Sequence, residues 1–128
     1  MEQVFLMDGV PYNVRVLSLQ RKFAVVETGI SGRTQNGMMY RDLFGTYYHY
    51  TMTVAPKGDD SNALDAFWEA VSRPRTSHVC VFPYGQHFLT QRMYVTAGEQ
   101  PLERVEADKN HWGAMEIRFI ALAPEVIP

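Results

Sequence analysis

Ser61-Asn62-Ala63-Leu64-Asp65-Ala66-Phe67-Trp68-Glu69-Ala70-Val71-Ser72-Arg73 is the one segment of this chain with a clear helical period. Leu64, Phe67, Trp68 and Val71 recur at i, i+3, i+4 and i+7 and so form one apolar stripe, while Asp65, Glu69 and Ser72 fall elsewhere on the wheel. Both ends are marked. Asp59 and Asp60 precede the segment, Ser61 or Asn62 can cap its first free N–H groups, and Arg73 stands at its negative end just before Pro74. Burying such side chains gains about 1.5–3 kcal/mol each before entropy is counted. The spacing therefore predicts a helix over 61–73 packed on a sheet, with Leu64, Phe67, Trp68 and Val71 as its anchor in the core.

The flanking sequence alternates like strand. Residues 3–7 are apolar, Asp8-Gly9 is a two-residue turn signal, and residues 12–19 alternate, which together read as an opening hairpin with Pro11 at an edge. Residues 23–27 follow as a second strand. Residues 28–37 carry three glycines and little apolar content, so they read as a loop or a protruding hairpin tip. The strongest strand is 46–55. It sets Tyr48, Tyr50, Met52 and Val54 on one face, and Tyr47, His49, Thr51 and Thr53 on the other, a polar and aromatic set suited to a wet face or an interface. After Pro74, residues 77–82 and 87–96 form a second hairpin around Pro83-Tyr84-Gly85. Residues 102–106 are a weak strand, and 112–123 close the fold with Met115, Ile117, Phe119 and Ala121 on one face. Strands, one helix, then strands, joined by hairpin turns, predict an α+β domain spanning 1–128. Its sheets are expected to be mainly antiparallel and sandwich or barrel-like, with one packed helix.

Composition narrows the function. A chain of 128 residues, 46% hydrophobic and 20% charged, has the balance of one globular domain with a real core. Its net charge of -2 is spread along the chain and gives no field that would gather phosphates, so nucleic acid is not an expected partner. The first nine residues lack a basic start and are cut by Asp8-Gly9 after too few apolar residues for a signal or a span. No membrane partner is expected, and synthesis in a cytosol-like compartment is.

Candidate chemistry is thin. His49, His78, His87 and His111 fall on different elements without an i, i+4 pair, so no metal is expected. His78 and Cys80 share one strand face, but the sequence supplies no orienting third group, and Cys80 is expected to pack as a small hydrophobe. Gly29, Gly32 and Gly37 surround Arg33, yet the loop leads into Met38-Met39-Tyr40 and not into the Gly-Lys-Ser/Thr helix start of a phosphate loop. Tyr40, Tyr47, Tyr48 and Tyr50 with Arg33 and Arg41 resemble a base-stacking set, but they divide between two faces of a strand. Aromatics and arginine are what protein interfaces enrich. The expectation is no catalytic residue and no cofactor, and a candidate interface of Gly32, Arg33, Thr34, Arg41, Tyr47 and His49.

Read in order, Gly9-Val10-Pro11-Tyr12-Asn13-Val14, Gly32-Arg33-Thr34, Arg41-Asp42, Gly45-Thr46-Tyr47-Tyr48, Trp68, Phe82-Pro83-Tyr84-Gly85 and Trp112-Gly113 resemble the small tail or baseplate-type structural proteins of bacteriophages and prophages of Gram-positive bacteria. The likeness spans residues 9–124. It implies a tail-tube-like or distal-tail-like fold and a virion component without enzymatic activity. The implied partners are copies of itself, in a homo-oligomer or ring, and other tail proteins. The other reading from the residues is a monomeric ligand-binding β domain, which predicts a closed apolar pocket and no self-association.

Overall fold

The computed structural model describes residues 5–28, 32–33, 35, 37–57, 61–106 and 109–128, apart from the side chains of Arg33, Tyr40 and Ser61. Thr34 of the expected interface, and Asp59 and Asp60 of the expected helix start, lie outside the described residues, as do the side chains of Arg33 and of the expected cap Ser61. In chain order the elements are β1 (Leu6–Met7), β2 (Val14–Glu27), β3 (Gly32–Arg33), β4 (Met39–Tyr40), β5 (Leu43–Pro56), α1 (Ser61–Val71), β6 (His78–Tyr84), β7 (His87–Tyr94), β8 (Gly98–Glu99), β9 (Leu102–Glu106), β10 (Lys109–Trp112) and β11 (Met115–Ala121). The described residues form an α+β chain, mostly antiparallel sheet with one helix, as the order of sequence signals predicts.

One seven-stranded sheet runs β1-β6-β7-β11-β5-β2, with β8 also beside β11, and two ribbons, β3-β4 and β9-β10, stand apart from it. Every pairing is antiparallel. The chain connection forces this sheet to curl. In a flat sheet the ends of that order would lie about 24 Å apart, at about 4.8 Å per strand spacing. Met7 and Val10 bond each other across the Asp8-Gly9 turn, and the four further residues to Val14 reach at most about 14 Å. The edges therefore approach each other, and the rings of Phe5 and Tyr12, from opposite ends of the sheet order, stack 6.5 Å apart.

Alternation sets which side chains are buried. Tyr50, Met52 and Val54 of β5, Met115, Ile117, Phe119 and Ala121 of β11, and His78, Cys80 and Phe82 of β6 are buried, while most of the residues between them reach water. Phe82 links these side chains, with its ring 4.6 Å from Tyr50, 5.1 Å from Phe119 and 5.9 Å from Phe5. The Tyr50 hydroxyl, inside this apolar cluster, donates to the Pro83 carbonyl at 2.9 Å.

The helix covers this core with a narrower stripe than its spacing suggested. Leu64, Phe67 and Val71 are buried, and the Phe67 ring meets Phe5 at 5.4 Å and Tyr12 at 5.1 Å. Trp68 is 37% exposed and is not a core anchor. It stands about 40° round the helix from Leu64, on the side away from Phe67. The opposite shoulder, Ala63 and Ala70, is the one turned inward.

Four strand readings change for identifiable reasons. The turn at Asp8-Gly9 forms, with both residues at positive φ, but its flanks do not pair as a hairpin. β1 adds to β6, whereas β2 pairs with β5. Residues 12–19 and 23–27 belong to one strand, because a bulge at Leu17 shifts the alternation so that Leu19, Arg21, Phe23 and Val25 continue the face of Val14 and Val16. The strand expected over 87–96 continues as β7 and β8, whose register against β11 slips by one residue across Val95–Ala97. The strand expected over 112–123 is divided at Gly113-Ala114 into β10 and β11.

Candidate interface arm

β2 and β5 are each 14 residues long and pair from Val14↔Pro56 to Glu27↔Leu43, but β11 pairs with β5 only from Val54 to Tyr50. The remaining half of the β2–β5 ladder leaves the sheet as a two-stranded arm. The arm continues past the ladder: Thr28 N–H donates to the Asp42 carbonyl at 2.7 Å, its hydroxyl donates to the Asp42 carboxylate at 2.9 Å, Arg41 forms an ion pair with Glu27, and β3 pairs with β4. Of the two readings of residues 28–37, the described residues form the protruding hairpin. At its root the chain beyond β11 docks on β5, with Thr46 N–H donating to Val126 at 2.8 Å and Glu125 N–H to Thr46 at 2.9 Å. Gly45, at φ +144°, sits under this contact, where a Cβ would collide with the Val126 carbonyl oxygen.

The candidate interface residues share this arm without forming one compact spot. Gly32 and Arg41 lie toward the tip, and Arg41 is engaged by Glu27. Tyr47 and His49 lie at the root on the outer face of β5, their rings stacked 6.3 Å apart, as the alternation predicts. His49 has a structural bond as well. Its Nδ1 accepts the Ala121 N–H at 3.0 Å where the regular β5–β11 ladder ends, so the ring replaces a backbone acceptor. Burial, and then the charge of Lys22 across the ladder, lowers its pKa and favours the neutral ring that this bond requires.

What residue types alone did not single out is the apolar surface of the arm. Phe23 is 69% exposed, Phe44 56% and Met38 65%, and Val25 and Met39 are also open to water. The signal was the apolar run Phe23-Ala24-Val25-Val26 on a strand longer than the core needs. Phe23 also borders a cleft of about 550 Å³ between the arm and β6, lined by Arg21, Lys22, Tyr48, Tyr50 and Tyr84. There the Tyr84 hydroxyl donates to that of Tyr48 at 3.0 Å, and the Arg21 guanidinium stands 5.4 Å from the centre of the Tyr84 ring. Tyr50 is core and Tyr47 lies on the opposite face from Tyr48, so these three tyrosines make no continuous stacking track; the Tyr40 side chain lies outside the described residues.

The His78–Cys80 pair gains the third group that the sequence reading lacked. His78 is buried, and its Nδ1 lies 2.7 Å from the Asp8 carboxylate, which also accepts the Val79 N–H at 2.9 Å and faces Arg75 at 3.4 Å. The Cys80 thiol points instead at the His78 backbone carbonyl, and burial, with the Asp8 charge second, pushes its pKa up to about 12. This is a packed thiol beside a structural latch that ties the β1 turn to β6. Among the described residues no three His, Cys, Asp or Glu side chains converge as a metal site would require, and no helix is long and apolar enough to cross a membrane.

The latch has a pH signature. Burial alone would raise the Asp8 pKa, but the hydrogen bonds from His78 and Val79 and the charges of His78 and Arg75 leave it below its ordinary 3.8. Its ionised form therefore contributes stability that is present above pH 3.8 and is lost as pH falls through the lower folded value. Asp8→Asn keeps a residue that tolerates the positive φ here. It is expected to lower the neutral-pH urea midpoint and to lose less stability than wild type on acidification. Parallel curves for the two proteins would remove Asp8 from the acid limb.

No protein-family model matches the chain, and no curated protein matches it.

Proposed function

We propose that this protein is a structural subunit that works by self-assembly and protein–protein contact, of the kind found in bacteriophage and prophage tails or baseplates. The observation that carries the reading is the arm: a β ribbon that leaves the core and holds Phe23, Met38 and Phe44 in water. Apolar side chains so placed add nothing to the core of their own domain, and a cluster of them marks a surface that another protein covers. The finer form of the proposal is a tail-tube-like domain whose curled, barrel-like sheet packs beside copies of itself. Its arm crosses the subunit boundary in a homo-oligomer or ring, and other tail proteins cap the stack in the virion. Contact between the arm of one copy and a different surface of the next is heterologous, the type that closes into rings. In this role the protein performs no reaction and needs no cofactor.

Multi-angle light scattering on the purified chain tests the reading, alongside a variant in which residues 29–41 are replaced by Asn-Gly between Thr28 and Asp42. That pair is already closed by the Thr28–Asp42 hydrogen bonds, so the shortened hairpin is expected to keep the wild-type circular dichroism spectrum. Wild type is expected to form discrete oligomers and the shortened protein to stay monomeric. A shortened protein that still assembles would take the tip out of the interface. A wild type that stays monomeric at high concentration, alone and with co-expressed products of neighbouring genes, would count against assembly altogether.

A further inference from the structure

The half-exposed Trp68 and the register slip between β7 and β8 face one hollow at the end of α1. Its volume is about 280 Å³, and Trp68, Val71, Val95, Met115 and Ile117 supply its apolar lining. Val71, Met115 and Ile117 are themselves buried, so the hollow rests on a finished core and is not a packing defect within it. The slip across Val95–Ala97 makes room, since a bulged strand bends away from its neighbour and leaves residues out of the ladder.

The lining includes two arginines, Arg73 and Arg75, and no carboxylate. Arg75 is held by Asp8 at 3.4 Å, whereas the Arg73 side chain has no ion-pair partner among the described residues. A hollow with buried apolar side chains in its lining and, among the described residues, an arginine without an ion-pair partner beside them suits a ligand with both properties, because a carboxylate gains a charge-assisted hydrogen bond there that a neutral group cannot match. The volume lies near the lower end of small-molecule sites, about 300 Å³, which fits one ring or a short branched chain and not a nucleotide or a lipid tail pair.

We propose that this hollow binds a small amphipathic carboxylate, its apolar body against Trp68 and Val95 and its charge on Arg73. The site lies between the end of α1, the 95–98 segment and the start of β11, away from the arm, and does not depend on the assembly reading. Trp68 is its own reporter once the chain's other tryptophan is removed by Trp112→Phe.

In that background, titration with 3-phenylpropionate is expected to change Trp68 emission saturably, with a Kd of about 1 mM or below. The neutral 3-phenylpropanamide is expected to bind at least about tenfold more weakly. Arg73→Gln should bring the carboxylate down to the amide's affinity without moving the thermal midpoint. Ala97→Phe, which puts a large side chain into the lining, should abolish the response to both. No saturable response to the carboxylate, equal affinity for acid and amide, or unchanged binding in Arg73→Gln would each overturn the proposal.

Discussion

Phe67→Ala is expected to cost about 3–5 kcal/mol of unfolding free energy, and Trp68→Ala, one residue away, only about 1–2 kcal/mol. Size alone would rank them the other way. Phe67 is fully buried between Phe5 and Tyr12, so its removal leaves a cavity whose aromatic walls cannot collapse without moving β1 and the start of β2. Trp68 is 37% exposed and borders the hollow at the helix end, where water replaces its ring at little cost. Urea denaturation of both variants decides the matter, with midpoints compared at a common m-value. Equal losses would mean that the helix is rotated toward Trp68, as the i, i+3, i+4, i+7 spacing alone implies.

That contrast shows how far the residues carry the fold. Spacing located the helix, and period-two alternation picked out Tyr50, Met52 and Val54 and the inward face of β11. Both are local patterns imposed by the geometry of a single element. Which shoulder of the helical stripe turned inward was set by Phe5 and Tyr12, side chains more than fifty residues away, and no window of sequence contains that information. The bulge at Leu17 had the same effect on β2. One extra residue reversed the faces and made a continuous strand read as two. Asp8-Gly9 announced its turn correctly but not its partners, because β1 found β6 across the curled sheet. Alternation also placed Tyr47 and His49 of the candidate interface together on the outer face of β5. Arg41 and His49 nevertheless turn out to be held by Glu27 and Ala121, bonds that only the paired strands create. The apolar arm was the part least visible, since Phe23 and Val25 in sequence look like any core strand.

Phe23→Thr combined with Phe44→Thr is expected to leave the folded chain intact and, on the proposed assembly, to dissociate the oligomer. Both side chains are more than half exposed, so most of each ring lies outside the chain's own packing, and substitutions at such positions are expected to shift stability by about 1 kcal/mol or less. Threonine preserves strand preference, which keeps the β2–β5 ladder from being the reason for any change. Phe44 also stands at the irregularity in register between Val26 and Glu27, where its side chain has no facing residue to stabilise. If a neighbouring subunit covers the two rings, each contributes about 1.5–3 kcal/mol to association, or roughly a factor of ten to a hundred in Kd. Losing both should then turn an oligomer at micromolar concentration into a monomer. Light scattering over a dilution series, paired with a thermal melt, reads both quantities. A lower mass with an unchanged melt places the rings in the interface. An unchanged mass would mean that the partner surface lies elsewhere on the chain. A melt lowered by many degrees would make Phe23 and Phe44 part of the fold's own packing, contrary to their exposure.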